Sequence, residues 1–114
     1  MAIVNITCSN DADFYRQFVY QTIDGMPIDL TGSTLRMGIR QHAIDAKENI
    51  LLTTENGALA IVDASNGKFT VWIAQAQLLT LPLGNYEHSL IRILGGMHFR
   101  VWSGTLANKP GASR

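Results

Sequence analysis

The chain has 114 residues, which is the size of one domain. Nine basic and nine acidic side chains cancel to a formal net charge of zero, and charged residues make up only 16% of the chain. A protein that neutralises nucleic-acid phosphates carries a basic surplus, so this balance argues against a nucleic-acid partner. A hydrophobic fraction of 46% is enough to build a core and excludes intrinsic disorder.

Cysteine content and the amino terminus restrict the environment of the protein. Cys8 is the one cysteine of the sequence, so neither an intrachain disulfide nor a thiolate zinc site is expected. The opening residues lack the basic region and the apolar stretch of a signal peptide. Apolar runs are far shorter than the roughly 20 residues that span a bilayer. We therefore expect a soluble protein made in a cytoplasm, without a membrane partner.

Short extended segments separated by turns run along the chain. Apolar, aromatic and β-branched residues, several in strict alternation with polar ones, are typical of strands. Asn56-Gly57, Asn66-Gly67 and Gly95-Gly96 are strong turn signals between such segments. The predicted strands cover residues 2–8, 14–22, 34–40, 50–54, 58–62, 68–73, 86–94 and 97–106. About seven or eight strands with frequent turns predict an all-β fold, an antiparallel β-sandwich.

Three segments depart from this strand pattern. Residues 74–79 are rich in helix formers and predict one short helical turn. Residues 41–49 are polar and charged and predict a loop. Residues 108–114 carry Pro, Gly, Ala and Ser and predict an extended carboxy-terminal tail, which leaves residues 1–107 as a single domain.

The last predicted hairpin carries apolar residues on both faces. A two-residue turn at Gly95-Gly96 pairs Leu94 with Met97, Leu90 with Val101 and Ser89 with Trp102. Two interpretations stay open: scattered surface hydrophobes, or a patch that another subunit covers. On the second interpretation, the predicted interface residues are Trp72, Ile91, Ile93, Arg100 and Trp102.

Residues that could carry catalysis or bind a metal are scattered. His42, His88 and His98 are too far apart in the predicted pairing to share a metal ion. Asp11 and Asp13 could supply two oxygens to calcium, but the rest of an EF-hand loop is missing and we expect them to cap the turn before Phe14. The sequence contains no nucleophile motif and no glycine-rich phosphate loop. We therefore expect no catalytic residue, no metal site and no cofactor, and a protein that is not an enzyme.

A longer pattern covers an aromatic strand, Asp-Gly-x-Pro-hydrophobic-Asp-Leu-Thr-Gly over 24–32, and the alternating strand 34–40. With Leu-Pro-Leu-Gly-Asn-Tyr-Glu at 81–87 and Trp-Ser-Gly-Thr-Leu at 102–106, it resembles the amino-terminal domain of tailed-bacteriophage baseplate upper proteins. The resemblance implies an immunoglobulin-like β-sandwich and a structural role in the virion, at the tail tip, baseplate or neck. It implies assembly from the bacterial cytoplasm, with other phage structural proteins and copies of itself as partners. Capsid decoration (a cement protein) and a glycan- or receptor-binding module with weak contact to host-surface glycans are the alternatives.

The central part of this pattern predicts a rigid corner between two strands. Proline restricts φ, aspartate and threonine side chains bond turn amides, and glycine adopts positive φ. The corner is expected to be a structural element of the fold rather than a binding site. Its residues are Pro27, Asp29, Leu30, Thr31 and Gly32.

Overall fold

The computed structural model describes residues 2–113, which form nine strands, one 3₁₀ turn and one short α-helix in two packed sheets. The predicted all-β sandwich is confirmed. The strands are β1 (Ala2–Ile3), β2 (Ile6–Ser9), β3 (Phe14–Val19), β4 (Thr34–Arg40), β5 (Ile50–Thr53), β6 (Leu59–Asp63), β7 (Lys68–Ile73), β8 (Gly84–Leu94) and β9 (Met97–Lys109). The 3₁₀ turn is Ala64–Asn66, and α1 is Gln75–Thr80. Neither is long and apolar enough to cross a membrane.

The larger sheet has the order β1-β9-β8-β4-β5. Strand β2 pairs with the same edge of β9 as β1, but further along β9. The smaller sheet has the order β3-β7-β6. Pairing is antiparallel except that β1 and β2 both run parallel to β9. Strands β8 and β9 are 11 and 13 residues long, whereas no strand of the smaller sheet exceeds 6 residues.

The core lies between the two sheets and contains an aromatic cluster. The Phe18 ring centroid lies 4.7 Å from that of Trp102 and 5.9 Å from that of Phe69. Phe69 and Trp102 are 5.7 Å apart, so one residue from each of three strands meets here. Buried aliphatic residues surround the cluster: Leu35, Met37, Ile39, Leu52, Leu59, Val71, Ile73, Leu78, Leu90 and Leu106.

The corner residues form a tight turn ahead of β4. Asp29 Oδ1 accepts hydrogen bonds from the Thr31 backbone N–H at 2.8 Å and from the Thr31 hydroxyl at 2.6 Å. Leu30 is buried. Gly32 has a φ of +75°, a backbone conformation that residues with a side chain rarely adopt. Pro27 lies just before the turn in an isolated bridge with Gln21. The segment therefore connects the two sheets with few conformational alternatives.

The predicted tail differs from the structure. Strand β9 continues to Lys109, so a domain boundary at residue 107 falls inside a strand. Asn108 is buried and donates hydrogen bonds from Nδ2 to the carbonyls of Leu78 and Leu81, both at 3.0 Å. The Gly111 N–H donates to Asn10 Oδ1 at 2.8 Å. Long-range contacts that composition does not reveal hold this segment to the domain.

Candidate interaction surface

The end of the β8–β9 hairpin is not covered by the smaller sheet. Leu90 faces the core, and the period-2 alternation of β8 places Leu94 on the same face near the turn, where it pairs with Met97. Leu94, Met97 and Phe99 retain 36%, 62% and 39% exposure. The hairpin is longer than the strands packed against it, so the core-facing side of its end stays open to solvent.

The opposite face of the same hairpin carries three of the predicted interface residues. Ile91 pairs with Arg100, and Ile93 lies two residues further along β8 on the same face. Ile91 and Ile93 are half-buried, and Arg100 is exposed. The hairpin end therefore presents apolar side chains on both faces, as the sequence pattern predicted.

Trp102 does not belong to this surface, and its assignment to an interface was wrong. The register shifts between Leu90 and Ile91, so that Leu90 pairs with Trp102 and Val101 is the extra residue of a β-bulge. One extra residue reverses the face to which the following side chains point. Trp102 therefore faces the core, where it retains 4% exposure.

Trp72 is exposed but lies on the smaller sheet, away from the hairpin. It pairs across β3 and β7 with Tyr15, which is also exposed. The Trp72 indole N–H donates to Asp13 Oδ2 at 3.1 Å, and the other oxygen of this carboxylate accepts from the Gln75 N–H at 2.6 Å. Both hydrogen bonds lower the pKa of Asp13, and the bond from Gln75 has the larger effect. Tyr15 was not among the predicted interface residues, although its position in a strand of alternating residues could have indicated an outward side chain.

A groove of about 580 Å³ lies on the outer face of the larger sheet, beside the hairpin. Its lining includes Ile3, Arg36, Glu48, Ser89, Arg100 and Ser103. Glu48 forms ion pairs with Arg36 at 3.3 Å and Arg40 at 3.5 Å. It lies over Gly38, where a Cβ would come within 2.5 Å of its Oε2. Within residues 2–113, no carboxylate lies within 4 Å of the Arg100 guanidinium, so its charge is free to meet a partner.

His88 and Cys8 are buried in the sandwich and have shifted pKa values. His88 Nε2 lies 3.2 Å from the Thr105 carbonyl. Burial lowers the pKa of His88, and contacts with the Thr105 and Val4 backbone oppose that shift. Burial raises the pKa of Cys8 to about 11, so this thiol stays protonated at neutral pH. Across residues 2–113, no three His, Cys, Asp or Glu side chains are grouped closely enough to hold a metal ion.

Neither a model of a known protein family nor a curated protein matches this chain. Among solved structures, the chain is similar to the "N-terminal domain of phage TP901-1 ORF48", with 16% sequence identity and a TM-score of 0.48. The alignment covers 96% of this chain and 84% of that one. A similarity at this level assigns neither a family nor a function.

Proposed function

We propose that this chain is a non-enzymatic structural protein of a tailed-bacteriophage virion. In this role it is an immunoglobulin-like module that binds neighbouring subunits at the tail tip, baseplate or neck. The residue pattern over 24–40, which resembles baseplate upper proteins, supports the biological context. The observation that carries the binding role is the β8–β9 hairpin end, which has exposed apolar side chains on its core-facing side and the half-buried Ile91 and Ile93 on the other.

The hairpin end has the composition of an interface centre. Met97, Phe99 and Leu94 supply apolar area, and Arg92 and Arg100 supply the cationic side chains that protein interfaces favour. The Arg92 guanidinium already lies over the Phe99 ring, at 5.8 Å from the centroid, which preorganises both side chains. A formal net charge of zero favours association over dispersal as free monomers. Other virion proteins and further copies of this chain are the partners that we propose.

Incorporation into particles tests this function. Met97→Asp places a charge in the exposed hairpin patch, and Met26→Asp is a matched control, since Met97 and Met26 are 62% and 64% exposed. In the virus that encodes the chain, we expect the wild-type protein and Met26→Asp in gradient-purified particles at a constant copy number. We expect Met97→Asp to be reduced by about tenfold, the scale of losing one central interface residue.

Three results decide the proposal. Absence of the wild-type chain from purified particles would contradict the virion role. Equal incorporation of the two aspartate variants would contradict the hairpin as the interface. Imaging of labelled particles would distinguish the tail, baseplate and neck from a capsid-decoration position.

Glycan binding is a second candidate, favoured by Tyr15 and Trp72. The two exposed aromatic side chains are paired across β3 and β7, and Asp13 accepts a hydrogen bond from the Trp72 indole. Aromatic rings oriented in this way offer flat apolar faces to a sugar. Retention on a glycan array that Trp72→Ala abolishes would support this candidate, and no retention of the wild-type chain would dismiss it.

A further inference from the structure

We propose that the free edge of β9, over residues 97–101, receives an extended acidic segment of a neighbouring virion protein as an added β-strand. This inference rests on the proposed function, because the neighbour is another component of the particle. It defines the mode of contact and the chemistry of the partner.

The edge of β9 is covered along most of its length but not at the hairpin end. Strands β1 and β2 pair with β9 from Trp102 to Lys109. This shows that the edge accepts added strands. On the same side, no strand within residues 2–113 pairs with 97–101. The open stretch contains neither lysine nor proline, the residues that commonly protect exposed edges.

The hairpin turn determines which backbone groups face this open edge. Gly95 and Gly96 have φ values of 59° and 81°, the positive pair that a type I′ two-residue turn requires. Leu94 and Met97 close such a turn as a hydrogen-bonded pair. Hydrogen-bonded and non-hydrogen-bonded pairs alternate along an antiparallel ladder. The N–H and C=O groups of His98 and Arg100 therefore point away from β8 and are available to a new strand.

Side chains on the open stretch specify the chemistry of the added strand. Met97 and Phe99 supply an apolar side, while His98 and Arg100 lie on the other side. Arg100 has no carboxylate partner within residues 2–113. A strand that alternates apolar and acidic residues would pair with both sides at once.

Charge also selects a different protein over a second copy of this chain. Symmetric antiparallel pairing of two copies about Phe99 would place His98 of each copy opposite Arg100 of the other. Residues 97–101 contain no acidic side chain, so a second copy paired in this way would offer Arg100 no counter-charge. The acidic segment therefore belongs to a heterologous partner.

Two substitutions test the edge separately from the apolar patch. His98→Pro removes an edge-facing N–H while leaving the β8 ladder intact, a position at which proline is tolerated. Arg100→Glu reverses the charge, and Lys47→Glu is its matched control on the exposed 41–49 loop. His98→Thr keeps the N–H and separates the backbone effect from loss of the imidazole. Thermal unfolding of each purified variant verifies that it folds.

We expect His98→Pro and Arg100→Glu each to lower incorporation into particles by about tenfold, because each removes one component of strand addition. Lys47→Glu should be incorporated into particles as well as the wild type. His98→Thr should be incorporated several-fold better than His98→Pro. If His98→Pro fails to fold, Arg100→Glu with its lysine control still decides the charge requirement. Suppressors of Arg100→Glu that replace an acidic residue of another virion protein with a basic one would identify the partner.

The outcomes separate this inference from the proposed function. If the wild-type chain is absent from particles, the virion role itself is wrong. If the wild type is incorporated and both edge variants match it, the virion role stands and strand addition is wrong. If Arg100→Glu alone is reduced, the contact is ionic and does not use the strand edge, which also overturns strand addition.

Discussion

The carbonyl oxygen of Val4 occupies the space that a Cβ on Gly104 would need. Val4 and Asn5 connect β1 to β2 along one edge of β9, and the Val4 N–H donates to the Ser103 carbonyl at 2.9 Å. Asn5 Oδ1 accepts from the Thr105 N–H at 3.2 Å and from its hydroxyl at 3.1 Å. Residue 104 therefore has to lack a side chain for the amino-terminal strands to lie against β9.

Gly104→Ala is expected to destabilise the fold by about 1–3 kcal/mol, the cost of overpacking a close contact. Urea unfolding measures this change, and hydrogen exchange at the Thr105 amide reports whether the Asn5 bond is lost. Ser103→Ala is the neighbouring control and should stay within about 0.5 kcal/mol of the wild type. Wild-type stability of Gly104→Ala would show that residue 104 does not constrain the path of Val4 along β9.

Trp102→Ala is expected to cost about 3–5 kcal/mol, since it removes a buried aromatic side chain. Its ring contacts Phe18, with centroids 4.7 Å apart, and its indole N–H has no hydrogen-bond partner. Trp102→Phe should therefore be tolerated better than the alanine variant. Urea unfolding of both variants provides the measurement, with exposed Trp72→Ala as the control for loss of an indole. Similar costs for Trp72→Ala and Trp102→Ala would contradict a core role for Trp102.

Acid should destabilise the protein through His88. Its folded pKa lies below its usual value of 6.5, so the folded chain binds fewer protons than the unfolded chain. This contribution to stability is complete above pH 6.5 and is lost as pH falls from there through the folded pKa. Melting temperatures at pH 7.5 and 5 should fall more for the wild type than for His88→Gln.

The lowered aspartate pKa values affect a different pH range. Hydrogen bonds lower the pKa values of Asp13, Asp29 and Asp63 from 3.8. For Asp29, the donors are the hydroxyl and the backbone N–H of Thr31. Their contribution to stability is present above that pH and is lost as pH falls through the folded pKa values. An equal loss of melting temperature between pH 7.5 and 5 in wild type and His88→Gln would rule out His88 as the cause.

Asn108→Ala is expected to cost about 1–3 kcal/mol, because it leaves two carbonyls near the end of α1 without their donor. The carbonyls belong to Leu78 and Leu81, and the Asn108 side chain reaches them from β9. Urea unfolding and the helical circular dichroism signal measure the effect. Lys109→Ala, one residue later and exposed, is the control. A loss confined to Lys109→Ala would contradict the bridge between β9 and α1.

Local patterns in the sequence determined much of the fold. Strict alternation over 34–40 and 68–73 identified two strands, and Gly95-Gly96 identified the last hairpin and its closing pair. Helix formers identified α1 to within one residue at each end. These features depend on neighbouring residues, whose spacing is visible in one dimension.

The candidate site was predictable in part for the same reason. Ile91 and Arg100 pair as neighbours on one face, because the register is correct from the turn to that point. The bulge at Val101 then reverses the faces, which moved Trp102 into the core. Alternation cannot reveal an inserted residue, since the bulge forms where the pairing of two strands requires it.

Tertiary structure alone decided which apolar residues remain exposed. Leu94, Met97 and Phe99 follow the same pattern as core residues, and their exposure depends on how far the smaller sheet extends beneath the hairpin. The free edge of β9 likewise depends on where the amino-terminal strands pair. Composition and charge therefore indicated a protein suited to association, but the position of the surface came from contacts between segments distant in sequence. Burial is a property of those contacts and not of a residue's hydrophobicity.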